Sequence, residues 1–142
     1  NGFDITLKSG QDTDLWIRIA LNEKVAFHNT ITSEKVIQQQ DNHLSLSEAV
    51  KDRMKLLSKY TSFEKENPSF KRYMDYNRFS IAIERKLAGD IKSFKDISKD
   101  INRKNLNNKL WILLNLPKGL LKLLLRFQQF LIKKNLYLSP FR

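Results

Sequence analysis

The sequence predicts a mostly helical chain with a short β segment near its N-terminus. Only 4 Gly and 3 Pro interrupt 142 residues, which favours long regular elements and few loops. Apolar side chains recur at helical spacing through most of residues 45–134, whereas β-prone runs are confined to residues 24–28 and 35–39. Apolar residues make up 41% and charged residues 29%, a balance that excludes both a disordered acidic tail and a polytopic membrane protein. With no Cys, disulfides, thiolate nucleophiles and Cys-ligated zinc are excluded, which fits a reducing compartment. The chain opens Asn-Gly-Phe-Asp, without Met or the basic and apolar regions of a signal peptide. The expectation is therefore a C-terminal part of a longer polypeptide.

The elements follow in order. A turn across Lys8-Ser9-Gly10 leads into a helix over about residues 12–21, with Thr13 or Asp14 as its cap. Leu15, Trp16, Ile19 and Ala20 form its apolar side. Residues 24–28 and 35–39 read as short strands joined by a turn at Asn29-Thr30. Ser45 and Glu48 have capping-box spacing, and Val50, Met54 and Leu57 follow at helical intervals. Pro68 opens the next helix, which runs to about Leu87 before Gly89 stops it. Asp90 caps a further helix through Asn102, with Ile91, Phe94, Ile97 and Ile101 on one side. Residues 102–108, rich in Asn, read as a hinge or loop. A short apolar helix over residues 110–116 comes next, and Pro117 restarts the chain into a last one.

Charge is graded along the chain. Residues 1–50 carry a net −3, residues 51–100 +5 and residues 101–142 +9, the last without a single acidic side chain. Such a gradient points the tail at a polyanion. At about 100° per residue, Lys118, Lys122, Arg126, Gln129 and Lys133 fall within roughly 80° of one another, and Leu, Phe and Ile fill nearly all the rest. A narrow cationic stripe on a broad apolar body suits a helix lying in the plane of an anionic membrane, with Trp111 and Tyr137 as interfacial aromatics. Each Lys or Arg near such a surface contributes about 1 kcal/mol. The cations interrupt the apolar run too often for it to span a bilayer. A helix whose apolar body packs into the protein is the other reading of the same wheel.

The most specific stretch is Gly10-Gln11-Asp12-Thr13-Asp14-Leu15-Trp16-Ile17-Arg18. It places the Asp12 carboxylate at the mouth of a helix, where backbone amides favour the ionised form and the group can accept a proton. From spacing alone, the favoured reading is that Asp12 and Asp14 simply cap the helix.

This run resembles the Gly-Glu-Asp-x-Asp-Leu-Trp-x-Arg pattern of family 2 glycosyltransferases of the GT-A fold, in the part that follows their nucleotide-binding half. Lys24-Val25-Ala26-Phe27-His28 is similar to the strand that carries that family's sheet onward, and Gln40 to Ser45 to its closing segment. The specific motifs cover about the first third of the chain. The resemblance implies an α/β parent fold and divides the chain into the end of a catalytic domain (1–44), a basic helical extension (45–105) and a cationic amphipathic tail (106–142).

It also implies inverting transfer of a sugar from a nucleotide-sugar donor to a hydroxyl on a glycan or lipid-linked acceptor, in bacterial surface polysaccharide or glycolipid synthesis. Asp12 matches the catalytic base, and Gln11 and Arg18 match substrate-binding positions. Lys118, Lys122, Arg126 and Lys133 are expected to contact an anionic membrane, so the protein would be cytoplasmic and peripheral on the inner face of the plasma membrane. Trp16 either packs its helix or stacks a sugar, and Arg18 reaches either a phosphate or a neighbouring carboxylate. Two positions depart from the family: its Glu before the base is Gln11, and its closing Arg is His43. The donor-binding half, with the Asp-x-Asp that holds Mg or Mn, is not in these residues, so this segment alone is expected to be inactive and to bind no metal. A basic helical nucleic-acid binder and a non-catalytic membrane adaptor are the alternatives; no helix-turn-helix, zinc-finger or RNA-binding signature supports the former.

Overall fold

A computed structural model of the protein describes residues 2–26, 28–32, 46–134 and 136, with backbone alone at residues 46–50. In order, the elements are α1 (Gln11–Asn22), α2 (Leu46–Lys59), α3 (Phe63–Glu66), α4 (Pro68–Ala88), α5 (Ile91–Ser98), a 3₁₀ turn (Arg103–Asn105), α6 (Asn108–Asn115) and α7 (Lys118–Lys133). The protein is mostly helical, and no strand occurs among the described residues. Of the expected strand at residues 24–28, the described residues 24–26 and 28 are exposed and form no strand. A strand exists only through a hydrogen-bonded neighbour, and no described segment supplies one. The second expected strand, the capping residue Ser45, the closing segment with His43, and Tyr137 lie outside the described residues.

The chain forms two compact units, Asn1–Lys59 and Tyr60–Arg142. Helix α2, expected in the basic extension, thus sits in the N-terminal unit. There, Asp4 folds residues 4–7 into a turn, its Oδ1 accepting from the Thr6 amide at 2.9 Å and hydroxyl at 2.7 Å. Leu7 at the end of this turn is buried. Helix α2 holds the segment through Asp52, whose Oδ2 accepts from the amides of Lys8 and Ser9 at 2.8 and 2.9 Å. Lys55 adds a bond from its Nζ to the Thr6 carbonyl at 3.1 Å.

In the C-terminal unit the helix boundaries follow local chemistry. Asn67 caps α4 by accepting from the Phe70 amide at 2.9 Å, Pro68 fills the first helical position, and Gly89 ends the helix at φ 90°. Asp90 caps α5 through the Ser93 amide at 3.0 Å. Hydrogen bonds from the Ser93 side chain and backbone hold the Asp90 carboxyl below its usual range. Helix α5 stops at Ser98, short of the expected Asn102, because Asn102 is extended and begins the 3₁₀ turn as its cap. Asn107 then caps α6 through the Leu110 amide at 2.8 Å. The Asn-rich run is thus the connection expected between α5 and α6, and two of its Asn residues act as caps.

This unit is knotted at Asp75, a fully buried carboxylate on α4. Lys71 Nζ and Arg78 Nη1 donate to its Oδ1 at 2.7 and 3.3 Å, and the Asn102 amide and Asn105 Nδ2 to its Oδ2 at 3.1 and 2.7 Å. Glu64 of α3 joins from the other side, pairing with Lys71 at 3.0 Å and with Arg78. Burial opposes the Arg78 charge, but Glu64 and Asp75 outweigh it and raise its pKa. One carboxylate thus fixes α4 against the segment that follows α5. Met74, Ile81, Ile97, Leu106 and Leu110 are buried in the same unit.

Lys86 joins three helices. Buried on α4, it donates from Nζ to the Leu114 carbonyl at the end of α6 at 2.6 Å and lies 4.5 Å from the Phe94 ring of α5. Desolvation lowers its pKa.

Two outcomes are expected. Asp75→Ala leaves four donors without their acceptor and costs about 3 kcal/mol in urea unfolding; a loss under about 1 kcal/mol refutes the knot. For Lys86, the folded state releases its proton before the unfolded state does, so its contribution to stability rises with pH in the window just below the ordinary lysine pKa of about 10.4. The stability of the parent minus that of Lys86→Met should therefore increase between about pH 7 and about pH 10, and a flat difference argues against a desolvated ammonium.

Candidate functional site

Helix α1 begins on Gly10, whose backbone is left-handed at φ 78° and ψ 17°. A Cβ there would meet nothing within 4 Å, so the requirement for Gly is conformational and not spatial. This corrects the expected cap: neither Thr13 nor Asp14 holds the N-cap position, and Gly10 offers no side chain to do so. Gln11 instead ties the helix to the preceding turn, its half-buried amide nitrogen donating to the Leu7 carbonyl.

The helix presents an unexpected face inward. Asp14 and Ile17 are buried and Arg18 and Leu21 half-buried, the i, i+3, i+4, i+7 stripe of a packed helix. The predicted apolar side lies elsewhere on the cylinder: Trp16 is 63% exposed, Ala20 is exposed, and Leu15 and Ile19 are half-buried. Trp16 therefore does not pack its helix onto a sheet among the described residues.

What the inward face satisfies is a charge. Asp14 is 0% exposed, and its two oxygens take cations from opposite directions: Oδ2 from Arg18 Nε at 2.9 Å, Oδ1 from Lys59 Nζ of α2 at 2.7 Å. Lys59 also reaches Asp4 Oδ2 at 2.9 Å. The bond from Lys59, with those from Thr6, holds the Asp4 carboxyl far below the usual carboxylate range. Arg18 spends a second donor on the Gly2 carbonyl at 2.7 Å. Of the two roles open to Arg18, the structure contains the neighbouring carboxylate. Sequence reasoning missed Lys59, which stands 45 positions from Asp14 with no local spacing to betray the pairing.

Asp12 is placed differently. It lies in the first turn of α1, exposed, with Oδ1 accepting from the Thr13 amide at 2.8 Å. That bond takes up one of the orphan amides of the helix start and leaves the carboxylate at the surface. Trp16 follows one turn later on the same exposed side. A carboxylate so placed is able to accept a proton from a molecule docked on this side. Asp14 is turned inward and paired with two cations, and no cluster of three metal-ligating side chains occurs among the described residues.

In the C-terminal unit, α7 carries the four cations expected to contact a membrane. Lys122, Arg126 and Lys133 are exposed. Lys118 is half-buried, and its ammonium lies beside Gly89 at the end of α4, 2.9 Å from where a Cβ would stand. A cation suits the carbonyl-rich end of a helix. No described helix is long and apolar enough to cross a membrane.

No protein-family model, curated protein or solved structure matches the chain.

The two aspartates should separate in a stability measurement. Asp14→Ala is expected to cost about 2 kcal/mol by taking from Lys59 and Arg18 the buried carboxylate they share, whereas Asp12→Asn keeps the bond to the Thr13 amide and stays within about 0.5 kcal/mol of the parent. Equal losses in thermal or urea unfolding would contradict the division.

Proposed function

We propose that this chain is the C-terminal part of an inverting glycosyltransferase, with Asp12 as its catalytic base. The observation that carries the reading is the division of labour inside Gly10–Arg18. The motif buries one aspartate, Asp14, and neutralises it with Arg18 and Lys59, while the aspartate two positions earlier is held at the surface on the first turn of the same helix. A helix meant only to be capped needs no such arrangement, because Gly10 already starts it.

In the proposed reaction Asp12 takes the proton of an acceptor hydroxyl as that oxygen attacks the anomeric carbon of a nucleotide-sugar. The new glycosidic C–O bond forms as the bond to the nucleoside diphosphate breaks with its electron pair, and the configuration inverts. General-base assistance of this kind contributes about 10²–10⁴-fold. Gln11 and Arg18 shape the site from behind: Gln11 locks the turn before the helix, and Arg18 fixes Asp14 and hence the inward face. The divalent metal that such chemistry uses on the donor diphosphate would belong to a nucleotide-binding half, since the residues described here do not fit one.

The exposed apolar side chains of the N-terminal unit support the same reading. Phe3, Ile5, Trp16, Val25 and Ile31 all stand largely in solvent. A surface of that character is suited to being covered by a nucleotide-binding half. The reading assigns the enzyme to the cytoplasm, at the inner face of the plasma membrane, acting on a glycan or lipid-linked acceptor.

In the full-length polypeptide, supplied with a panel of nucleoside-diphosphate sugars and bacterial membrane lipid, Asp12→Asn should lower nucleoside diphosphate release by about 10²–10⁴-fold with unchanged unfolding behaviour. Turnover at the parent rate would overturn the assignment.

A further inference from the structure

Helix α7 is apolar on two sides, and only one of them is used by the protein. Leu121 is 3% exposed, and Leu125 and Gln128 beside it are half-buried, so this side faces the unit's interior. The opposite side is in solvent. Leu123 is 61% exposed, Phe127 and Phe130 are 55%, and Leu120 and Leu124 remain more than a third exposed. At about 100° per residue these five occupy an arc of roughly 120°, and Lys122, Arg126 and Lys133 occupy the arc between it and the docked side. An ordinary surface helix turns its charged residues straight out to water and its one apolar stripe inward. Here the outermost residues are leucine and phenylalanine, and the cations stand along one flank.

The geometry points to one occupant for this face: an anionic lipid bilayer, with the helix in the plane of the headgroups. Phe127, Leu123, Phe130 and Leu120 enter the acyl boundary while Lys122, Arg126 and Lys133 lie level with the lipid phosphates. Charge complementarity selects the partner, because residues 101–142 hold nine basic and no acidic side chains. A second copy of this chain would bring two such cationic flanks together. A nucleic acid would leave the apolar arc without a partner. At 16 residues, about 24 Å, α7 is shorter than a bilayer core of about 30 Å, so it lies on the membrane and does not cross it. Lys118 stands apart from this flank: it is half-buried, with its ammonium beside Gly89.

This deepens the proposed location at the inner membrane face and rests on it, but needs none of the sugar-transfer chemistry. The test is flotation of the full-length polypeptide with phosphatidylcholine vesicles, with and without phosphatidylglycerol. Binding is expected only with phosphatidylglycerol at low salt and should weaken at least about tenfold on raising the salt to about 0.5 M. Leu123→Glu and Phe127→Glu, both at exposed positions, should abolish it while leaving the helical circular dichroism unchanged. In Phe127→Trp, brominated acyl chains should quench emission beyond that of Trp16 and Trp111. Absence of flotation at low salt, retention of binding by both Glu variants, or a dimer that the same substitutions dissociate without any vesicle binding would each overturn the proposal. Asp12→Asn should float like the parent, so loss of transfer and loss of membrane binding are read separately.

Discussion

A carboxylate taken out of water must be met by cations and donors, and each of the two units is built around that requirement. In the first, Asp14 draws Arg18 from its own helix and Lys59 from α2, and through Lys59 also the Asp4 turn. In the second, Asp75 draws Lys71, Arg78, the Asn102 amide and Asn105. Buried ion pairs add little net stability over an apolar core of the same shape, but removing one partner is expensive. Their effect is on geometry. Arg18 and Lys59 leave Asp14 one orientation, and that orientation decides which side of α1 faces out and therefore that Asp12 is at the surface.

How much of this was legible in the sequence depends on the distance over which each feature is decided. Pro68, Gly89 and Asp90 mark the helix boundaries they were expected to mark, because capping is settled within four residues. The Asn run was read as a hinge or loop; it does connect α5 to α6, but Asn102 and Asn107 also cap successive elements, and a run of one residue type hides two starts. The faces of the helices were harder. Counting apolar residues put Leu15, Trp16, Ile19 and Ala20 inward on α1, yet the inward stripe begins with a charge. Periodicity assigns burial to apolar side chains and has no means of finding an aspartate whose partner is 45 positions away.

The described residues of the expected strand at 24–28 form none for a related reason. Residues 24–28 have the composition of a strand, but a strand is a property of two segments and not of one. Within the described residues nothing pairs with them, and Val25 stands exposed.

The same contrast separates the two exposed apolar surfaces. On α1 the exposed Trp16 has Asp12 one turn before it, so the charge beside it is acidic. On α7 the outward side carries leucine and phenylalanine flanked by cations alone. Apolar exposure by itself says only that something should cover a surface. The sign of the charge beside it says what kind of partner is excluded: carboxylates beside Trp16 are repelled by anionic lipid, whereas the flank of α7 is attracted to it. In the proposed reading, the first surface meets a hydroxyl-bearing substrate whose proton Asp12 takes, and the second meets a membrane. One chain therefore carries two unlike faces, and a requirement to act on an acceptor held at a bilayer would give each of them a use.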